Sequence, residues 1–314
     1  MKVLIAGGSG YIGRRLSTNL VKDGHNVGVL TRGQPSTVPP ALAGEGQGGG
    51  LRYVNWDART PNGDWVKELV DAQGIVNLAG ATIGSWPWTR RRMAEMLSSR
   101  LSATAALVQA LERTPAERRP SVLVNASGID YYGDRGDEII TEQSQSGDSF
   151  LARLSQQWEA AAVKAELLGL RVVRMRTSMV FGRGAPAFNL LTLPVRLFVG
   201  GPLGSGRQWF TWIHIDDIVG LYRFGLENDR LRGAVNAVAT DVRRQVEVAK
   251  EIGRILHRPT WFPAPAPLLR VALGAMSELL LDGRKAVPEK AKAAGYEFKF
   301  GGLPPALEEA LRSR

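Results

Sequence analysis

The chain has 314 residues, no cysteine, and a net charge of +10 from 40 basic and 30 acidic residues. The absence of cysteine excludes disulfides, thiolate catalysis and cysteine-ligated metals, and the 3 histidines (His25, His214, His257) lie too far apart in sequence to suggest a zinc cluster, so no metal is expected. A composition of 44% hydrophobic and 22% charged residues is that of a globular protein with a sizeable core, and no dense basic block interleaved with aromatics marks the chain as a nucleic-acid binder.

No apolar stretch approaches the ~20 uncharged residues of a membrane span, so no membrane partner is expected. The N-terminus enters a strand without a basic leader region, which gives a cytoplasmic expectation. An anionic small molecule would still be drawn to the excess positive charge.

The first element is a short apolar run, Val3-Leu4-Ile5-Ala6, ending in Gly7, with Gly10 and Gly13 following at spacings of three. That pattern predicts a buried strand, a tight turn and a helix start. There, missing Cβ atoms let a pyrophosphate approach the backbone, and free N–H groups of the first helical turn hold its oxygens. Gly7, Ser9, Gly10, Tyr11, Ile12 and Gly13 are the cofactor-binding candidates, with Arg14 as a further phosphate contact. The apolar positions Ile12, Leu16, Leu20 and Val21 make the following segment amphipathic, as a core-facing helix requires.

Strands are expected at 2–6, 26–31, 51–54, 74–78, 121–126 and 171–176, and helices at 11–23, 63–71, 89–112 and 149–168. Such alternation argues an α/β fold, a doubly wound parallel sheet with helices on both faces. The second strand ends in Thr31-Arg32, with Arg32 standing 19 residues beyond Gly13. Dinucleotide sites that prefer NAD place a carboxylate there, whereas a guanidinium pairs with a 2′-phosphate, so Arg32 favours NADP. The bland alternative for Arg32 is a solvated loop arginine. Pro35 to Gly50 reads as a flexible surface loop. Asp57 follows the third strand and is read as an acceptor for the adenine amino group, or equally as an Asx turn or helix cap. The fourth strand ends in Leu78-Ala79-Gly80, where small residues let a cofactor ribose pass close to the backbone.

Beyond residue 180 the rhythm breaks. Segment 183–212 is punctuated by Gly and Pro and reads as irregular. Helices are expected from the HIDD sequence at 214–217 to about Glu227, over 242–256, near 267–281 and near 304–312, while the prolines of 259–267 forbid a helix there. The C-terminal third reads as a smaller lobe over the ligand edge of the sheet.

These motifs resemble, in the same order, those of extended-type short-chain dehydrogenase/reductases: GGSGYIG at 7–13, Leu78-Ala79-Gly80, SGIDYYG at 127–133 and IHIDD at 213–217. More narrowly, the chain is similar to the "epimerase family" proteins that end in a domain of unknown function, some of which carry a cell-division-inhibitor label. VNLAGA (76–81), SSRLSAT (98–104), DYYGDRGD (130–137), FLARLSQQWEAAA (150–162), GGPLGSGRQWFTWIHIDD (200–217) and the tail at 258–288 carry this likeness. The resemblance implies a Rossmann-type doubly wound sheet with a small C-terminal substrate lobe. An NADP-binding domain would occupy 1–180, with contributions from about 205–245. The smaller lobe would occupy 181–314, including the tail domain at about 258–312. It also admits a homodimer through helices 89–112 and 149–168.

The sequence departs from that pattern at one place. Short-chain dehydrogenases work with Ser, Tyr and Lys, the lysine lowering the phenol pKa as an adjacent cation must. Counting back from Arg176 puts the Tyr-x-x-x-Lys positions near Leu154 and Trp158, and neighbouring Ser155 and Glu159 do not supply the pair either. Ser127, Tyr131 and Tyr132 remain as catalytic candidates, with Arg100 as a substitute cation and a cofactor-side residue. Either tyrosine could equally be a core ring with a satisfied hydroxyl. Gln208, Trp209 and His214 lie where this class builds substrate contacts, although His214 reads as scaffold more readily than as base. Within Asp216-Asp217, one carboxylate is expected to cap the next helix. Met179 stands where sugar-nucleotide epimerases place an asparagine, which weakens a UDP-sugar assignment. The expectation is an NADP(H)-binding oxidoreductase or epimerase-like enzyme acting on an unknown small molecule; the alternative is a non-catalytic NADP(H)-binding regulator or redox sensor.

Overall fold

The structure is a computed structural model that describes residues 1–33 and 50–312. Most of the Pro/Gly-rich loop expected at 35–50 therefore lies outside the described residues. Seven strands form one sheet: β1 (Lys2–Ala6), β2 (Asn26–Thr31), β3 (Leu51–Asn55), β4 (Gly74–Asn77), β5 (Val122–Gly128), β6 (Arg171–Thr177) and β7 (Gly233–Ala237). Their spatial order is β7-β6-β5-β4-β1-β2-β3 and every pairing is parallel. Parallel pairing demands crossovers, and these cover both faces with helices.

Helices α1 (Tyr11–Lys22) and α5 (Ile215–Glu227) bury one face against Val3, Ile5, Val124 and Val173. On the other face, α2 (Arg90–Arg113) and α3 (Phe150–Val163) pack on Leu4, Ile75, Leu123 and Val172. The architecture is Rossmann-like. Strand register pairs Asn77 with Asn125, Ser127 with Arg176, and Arg176 with Asn236. Residues paired in register share a face, so Ser127, Arg176 and Asn236 form a row at the carboxyl end of three adjacent strands.

Several elements differ from the sequence reading. The helix expected at 63–71 is only a 3₁₀ stretch at Asp64–Glu68. Residues 183–212 are not wholly irregular, because α4 spans Pro186–Arg196. Pro186 sits in its first turn, where a missing N–H is no loss, and Pro194 falls in the last turn. Strand β7 was not expected; its run Ala234–Ala237 is short and apolar and carries the inward-facing Asn236. The expected helix at 267–281 is three pieces, with α7 (Ala266–Leu273) followed by a 3₁₀ turn at 274–277 and a helical turn at 278–281. Gly274, at φ +55°, breaks the helix.

The chain after residue 181 builds a second core from Phe181, Phe188, Phe210 and Trp212, with α6 (Gln245–Leu256) and α8 (Leu303–Leu311). Two carboxylates tie the tail to it. Asp217 Oδ1 and Oδ2 accept from the N–H groups of Lys299 and Phe300 at 2.7 and 2.9 Å. Asp241 Oδ2 accepts from Leu303 N at 3.0 Å, supplying the cap that Gly302 lacks. The sequence suggested a carboxylate cap on α5, but neither Asp216 nor Asp217 provides it. His214 Nδ1 does, accepting from Asp216 N at 3.3 Å. Among the described residues, no helix is long and apolar enough to cross a membrane.

Asp217→Ala leaves two part-buried N–H groups without their acceptor. A loss of about 1–3 kcal/mol in unfolding free energy is expected, with faster proteolysis of 296–311. Unchanged denaturation and cleavage would contradict the tie.

Candidate functional site

The turn between β1 and α1 forms a cradle. Gly7 sits at φ +76°, and a Cβ there would lie 2.9 Å from the backbone of Leu78 and Ala79. A Cβ on Gly13 would lie 2.5 Å from the Gly8 Cα, so only glycine lets α1 enter so close to the strand. Gly10 is the N-cap and provides no side-chain cap, and the first turn carries no acidic residue. Helix geometry leaves the first N–H groups, including those of Tyr11 and Ile12, free to meet an anion. Arg14 is exposed beside them, while Tyr11 donates its hydroxyl to the Arg183 carbonyl at 3.0 Å and Ile12 packs into the core.

At the end of β2, the Thr31 hydroxyl donates to Ser9 Oγ at 3.4 Å and Arg32 is exposed next to it. Asp57 takes the Asx-turn alternative: its Oδ1 accepts from the N–H groups of Arg59 and Thr60 at 2.9 Å each, which holds the carboxyl below its ordinary range. At the end of β4, Asn77 Oδ1 accepts from Ala79 N at 3.2 Å and fixes the Leu78-Ala79-Gly80 turn. The Asn77 amide donates to Asn125 Oδ1 (2.7 Å) and Thr104 Oγ1 (3.0 Å), and Trp158 Nε1 donates to the same threonine at 3.1 Å.

Arg100 lies against Gly80. Its Nη1 donates to the carbonyls of Ala81 and Met96, its guanidinium stands 4.9 Å over the Trp158 ring, and its buried Nε has no partner. Among the described residues no carboxylate pairs with it. Burial lowers it to about 10, with Arg92 adding repulsion. A buried, unneutralised guanidinium beside the glycine cradle suits an anionic ligand such as a dinucleotide. The residues present thus fit the cofactor that the sequence suggests.

Ser127 lies over a buried ionic cluster. Its hydroxyl donates to Glu159 Oε1 at 2.8 Å. Glu159 also accepts from Arg176 Nε (2.8 Å), Arg176 Nη2 (2.9 Å) and Arg174 Nη1 (3.2 Å). Burial alone would lower the Arg176 guanidinium, but the Glu159 carboxylate outweighs it and holds that group above its ordinary value. Arg176 Nη1 donates to the Tyr132 hydroxyl, which donates to Asn236 Oδ1, both at 2.7 Å.

Tyr132 is fully buried and its phenol is pushed up by burial to about 12, so it is placed as a brace of the cluster instead of the proton donor the sequence allowed. Tyr131 is half-buried with Arg176 3.5 Å above its ring, which leaves it the more accessible of the two. Leu154 and Trp158 are buried among apolar side chains. The pair on α3 that faces Ser127 and Gly128 is Ser155 and Glu159, one residue further on.

The three residues expected to touch substrate make contacts within the protein. Gln208 Nε2 donates to the carbonyls of Leu203 and Leu280 at 2.9 Å each. The Trp209 ring lies between Arg244 (3.9 Å) and Lys285 (4.5 Å), with Nε1 donating to Asp137. His214 is completely buried, capping α5 and meeting Glu309 Oε2 at 2.9 Å. The tail nonetheless reaches the site. Arg284, 5% exposed, pairs with Asp130 (3.2 Å) and Asp282 (3.3 Å), and Asp130 belongs to the turn that follows Ser127. Burial pushes Asp282 up to about 6, against the pull of Arg284.

Glu159, Arg176, Asn77 and Asn236 were not expected as site residues. A signal existed: Arg174 and Arg176 alternate along a strand of an interior parallel sheet, and a buried charge there requires a counter-charge.

The profile of the NAD dependent epimerase/dehydratase family matches residues 3–237, and a domain of unknown function, DUF1731, matches residues 264–310. Over 312 residues the chain is 35% identical to the chloroplastic epimerase family protein SDR39U1 homolog of Arabidopsis thaliana, covering 99% of this chain and 87% of that protein. It is 32% identical over 317 residues to the epimerase family protein YfhF of Bacillus subtilis, covering 100% of this chain and 99% of the relative. The crystal structure of human epimerase family protein SDR39U1 with NADPH superposes with a TM-score of 0.83 at 32% identity, over 99% of each chain. UDP-glucuronic acid 4-epimerase from Bacillus cereus in complex with NAD shares the fold at a TM-score of 0.75 and 17% identity, over 99% of this chain and 95% of that one.

Glu159→Ala strands a buried guanidinium, so a loss of about 3–5 kcal/mol is expected by urea denaturation; a loss below about 1 kcal/mol would contradict the pairing. Asp282 keeps its proton to about 6 in the fold, whereas its ordinary value is 3.8. The folded chain therefore binds more protons between these values, and stability falls as pH rises from about 4 to about 6. Asp282→Asn should remove about 1 kcal/mol of that decline, solvent screening included; identical pH profiles would reject it.

Proposed function

Because the chain belongs to the NAD dependent epimerase/dehydratase family, we propose that it binds NADPH and acts as a short-chain-dehydrogenase-like oxidoreductase or epimerase-like enzyme on a small molecule. The observation that carries the cofactor reading is the uncapped glycine cradle with the buried cation Arg100 beside it, which has no carboxylate partner among the described residues. The NADPH in the human SDR39U1 structure supports it. When bound, the nicotinamide supplies or accepts a hydride. The N–H groups of Tyr11 and Ile12 hold the pyrophosphate, Arg32 pairs with the 2′-phosphate, and the Leu78–Gly80 turn gives the cofactor a close backbone wall. Ser127 and Tyr131 are the polar groups left to meet substrate.

The alternative, an NADPH-binding regulator without turnover, draws support from α3, which turns Ser155 and Glu159 toward Ser127 where relatives of this class use tyrosine and lysine. Hydrogen-isotope exchange at the nicotinamide separates the two. An enzyme exchanges label between deuterated NADPH and a carbonyl panel, or between NADP⁺ and a panel of deuterated alcohols; no turnover and no exchange in either direction would leave only the binding function.

Arg32→Asp should weaken NADPH by about 1.5–3 kcal/mol and leave NADH nearly unchanged. Dissociation constants from cofactor fluorescence decide it. Equal losses for both cofactors would reject Arg32 as the selector.

A further inference from the structure

Ser127 has one hydrogen, and the cluster below it decides where that hydrogen points. Guanidinium groups donate and never accept. Arg176 and Arg174 donate three hydrogen bonds to the two oxygens of Glu159, which makes that carboxylate a committed acceptor. At 2.8 Å from Glu159 Oε1, Ser127 Oγ must be the donor of the bond between them. The remaining bonds of the cluster cannot reverse this direction. Arg176 Nη1 donates to Tyr132, Tyr132 passes its hydrogen to Asn236 Oδ1, and the Asn236 amide donates to the Val287 carbonyl at 3.0 Å. Every link runs away from an arginine.

Ser127 keeps 5% of its surface open. Toward a ligand it presents lone pairs only, because its hydrogen is held beneath. A carbonyl oxygen also presents only lone pairs, and the two repel. A hydroxyl donates and is received.

We propose that Ser127, oriented by Glu159 and Arg176, is a polarity filter that accepts a hydrogen bond from a substrate hydroxyl and disfavours a carbonyl at the same place. The proposal deepens the oxidoreductase reading and rests on it for the identity of the neighbouring cofactor. It inverts the role the resemblance implied for this serine, which was to orient a carbonyl. The favoured ligand class beside an oxidised nicotinamide is an alcohol. Ser127 touches the ligand; Glu159 and Arg176 are positioning residues.

The test uses a matched pair of probes, cyclohexanol and cyclohexanone, titrated by ligand-observed NMR against the full chain with and without NADP⁺. One hydrogen bond predicts about threefold to tenfold tighter binding of the alcohol. Ser127→Ala leaves the Glu159–Arg176 pair intact and should bring the two probes to near equality. Glu159→Gln places an amide that can donate to Ser127, which frees the serine hydrogen and shifts the ratio toward the ketone; a purely structural role for Glu159 would not move that ratio. Equal binding, tighter ketone binding, or no binding of either probe overturns the filter. Failure of NADP⁺ to bind overturns the cofactor reading instead, and an alcohol preference in the bare chain would still uphold the filter.

Discussion

The buried pair between Glu159 and Arg176 organises the centre of this molecule. It joins α3 to β6 beneath Ser127, and through Tyr132 and Asn236 it reaches β7 and the tail. A charge pair in such a place adds little net stability over an apolar substitute, because desolvation consumes most of the Coulomb gain. What it contributes is direction. Arginine donors fix the sense of each hydrogen bond in a region where an apolar core would fix none, so the hydroxyl at the sheet's carboxyl edge has one orientation.

The same logic applies on the cofactor side with the opposite sign. There the structure leaves groups unmatched. Helix α1 begins without a side-chain cap, and among the described residues no carboxylate pairs with the buried Arg100. Both features are unfavourable alone and become favourable when an anion arrives. The Asn77–Thr104–Asn125 bonds hold the neighbouring turn, so the cradle is built before a ligand enters. Preorganisation of this kind reduces the ordering that binding requires.

The main sheet was legible because apolar runs and glycines state their constraints locally. Six of its strands and the turn at Gly7–Gly13 follow from residue spacing alone. Elements whose cause is distant were harder. Strand β7 is Gly-Ala-Val-Asn-Ala, without the run of large apolar residues that marks the other strands, and it pairs along the edge of β6. Helix α4 hides behind two prolines, one in its first turn and one in its last. His214 carries a catalytic-looking side chain, yet its partners, Asp216 N and Glu309, show a cap and a tail clasp. In the candidate site, Ser127 and the glycines were readable, whereas Glu159 acquires meaning only when register sets Ser127 beside Arg176. Nothing in the sequence pointed to the C-terminal segment as the source of Arg284 beside the Ser127 turn.

The proposed site joins two features: a glycine turn suited to an anion and a Ser127 hydroxyl with a fixed sense. A crystal structure with NADPH tests their union most directly. The expected result has the pyrophosphate on the N–H groups of Tyr11 and Ile12, the nicotinamide beside Ser127, and the Ser127–Glu159 bond intact. A pyrophosphate bound elsewhere, or a Ser127 hydroxyl turned from Glu159 toward the nicotinamide, would contradict it.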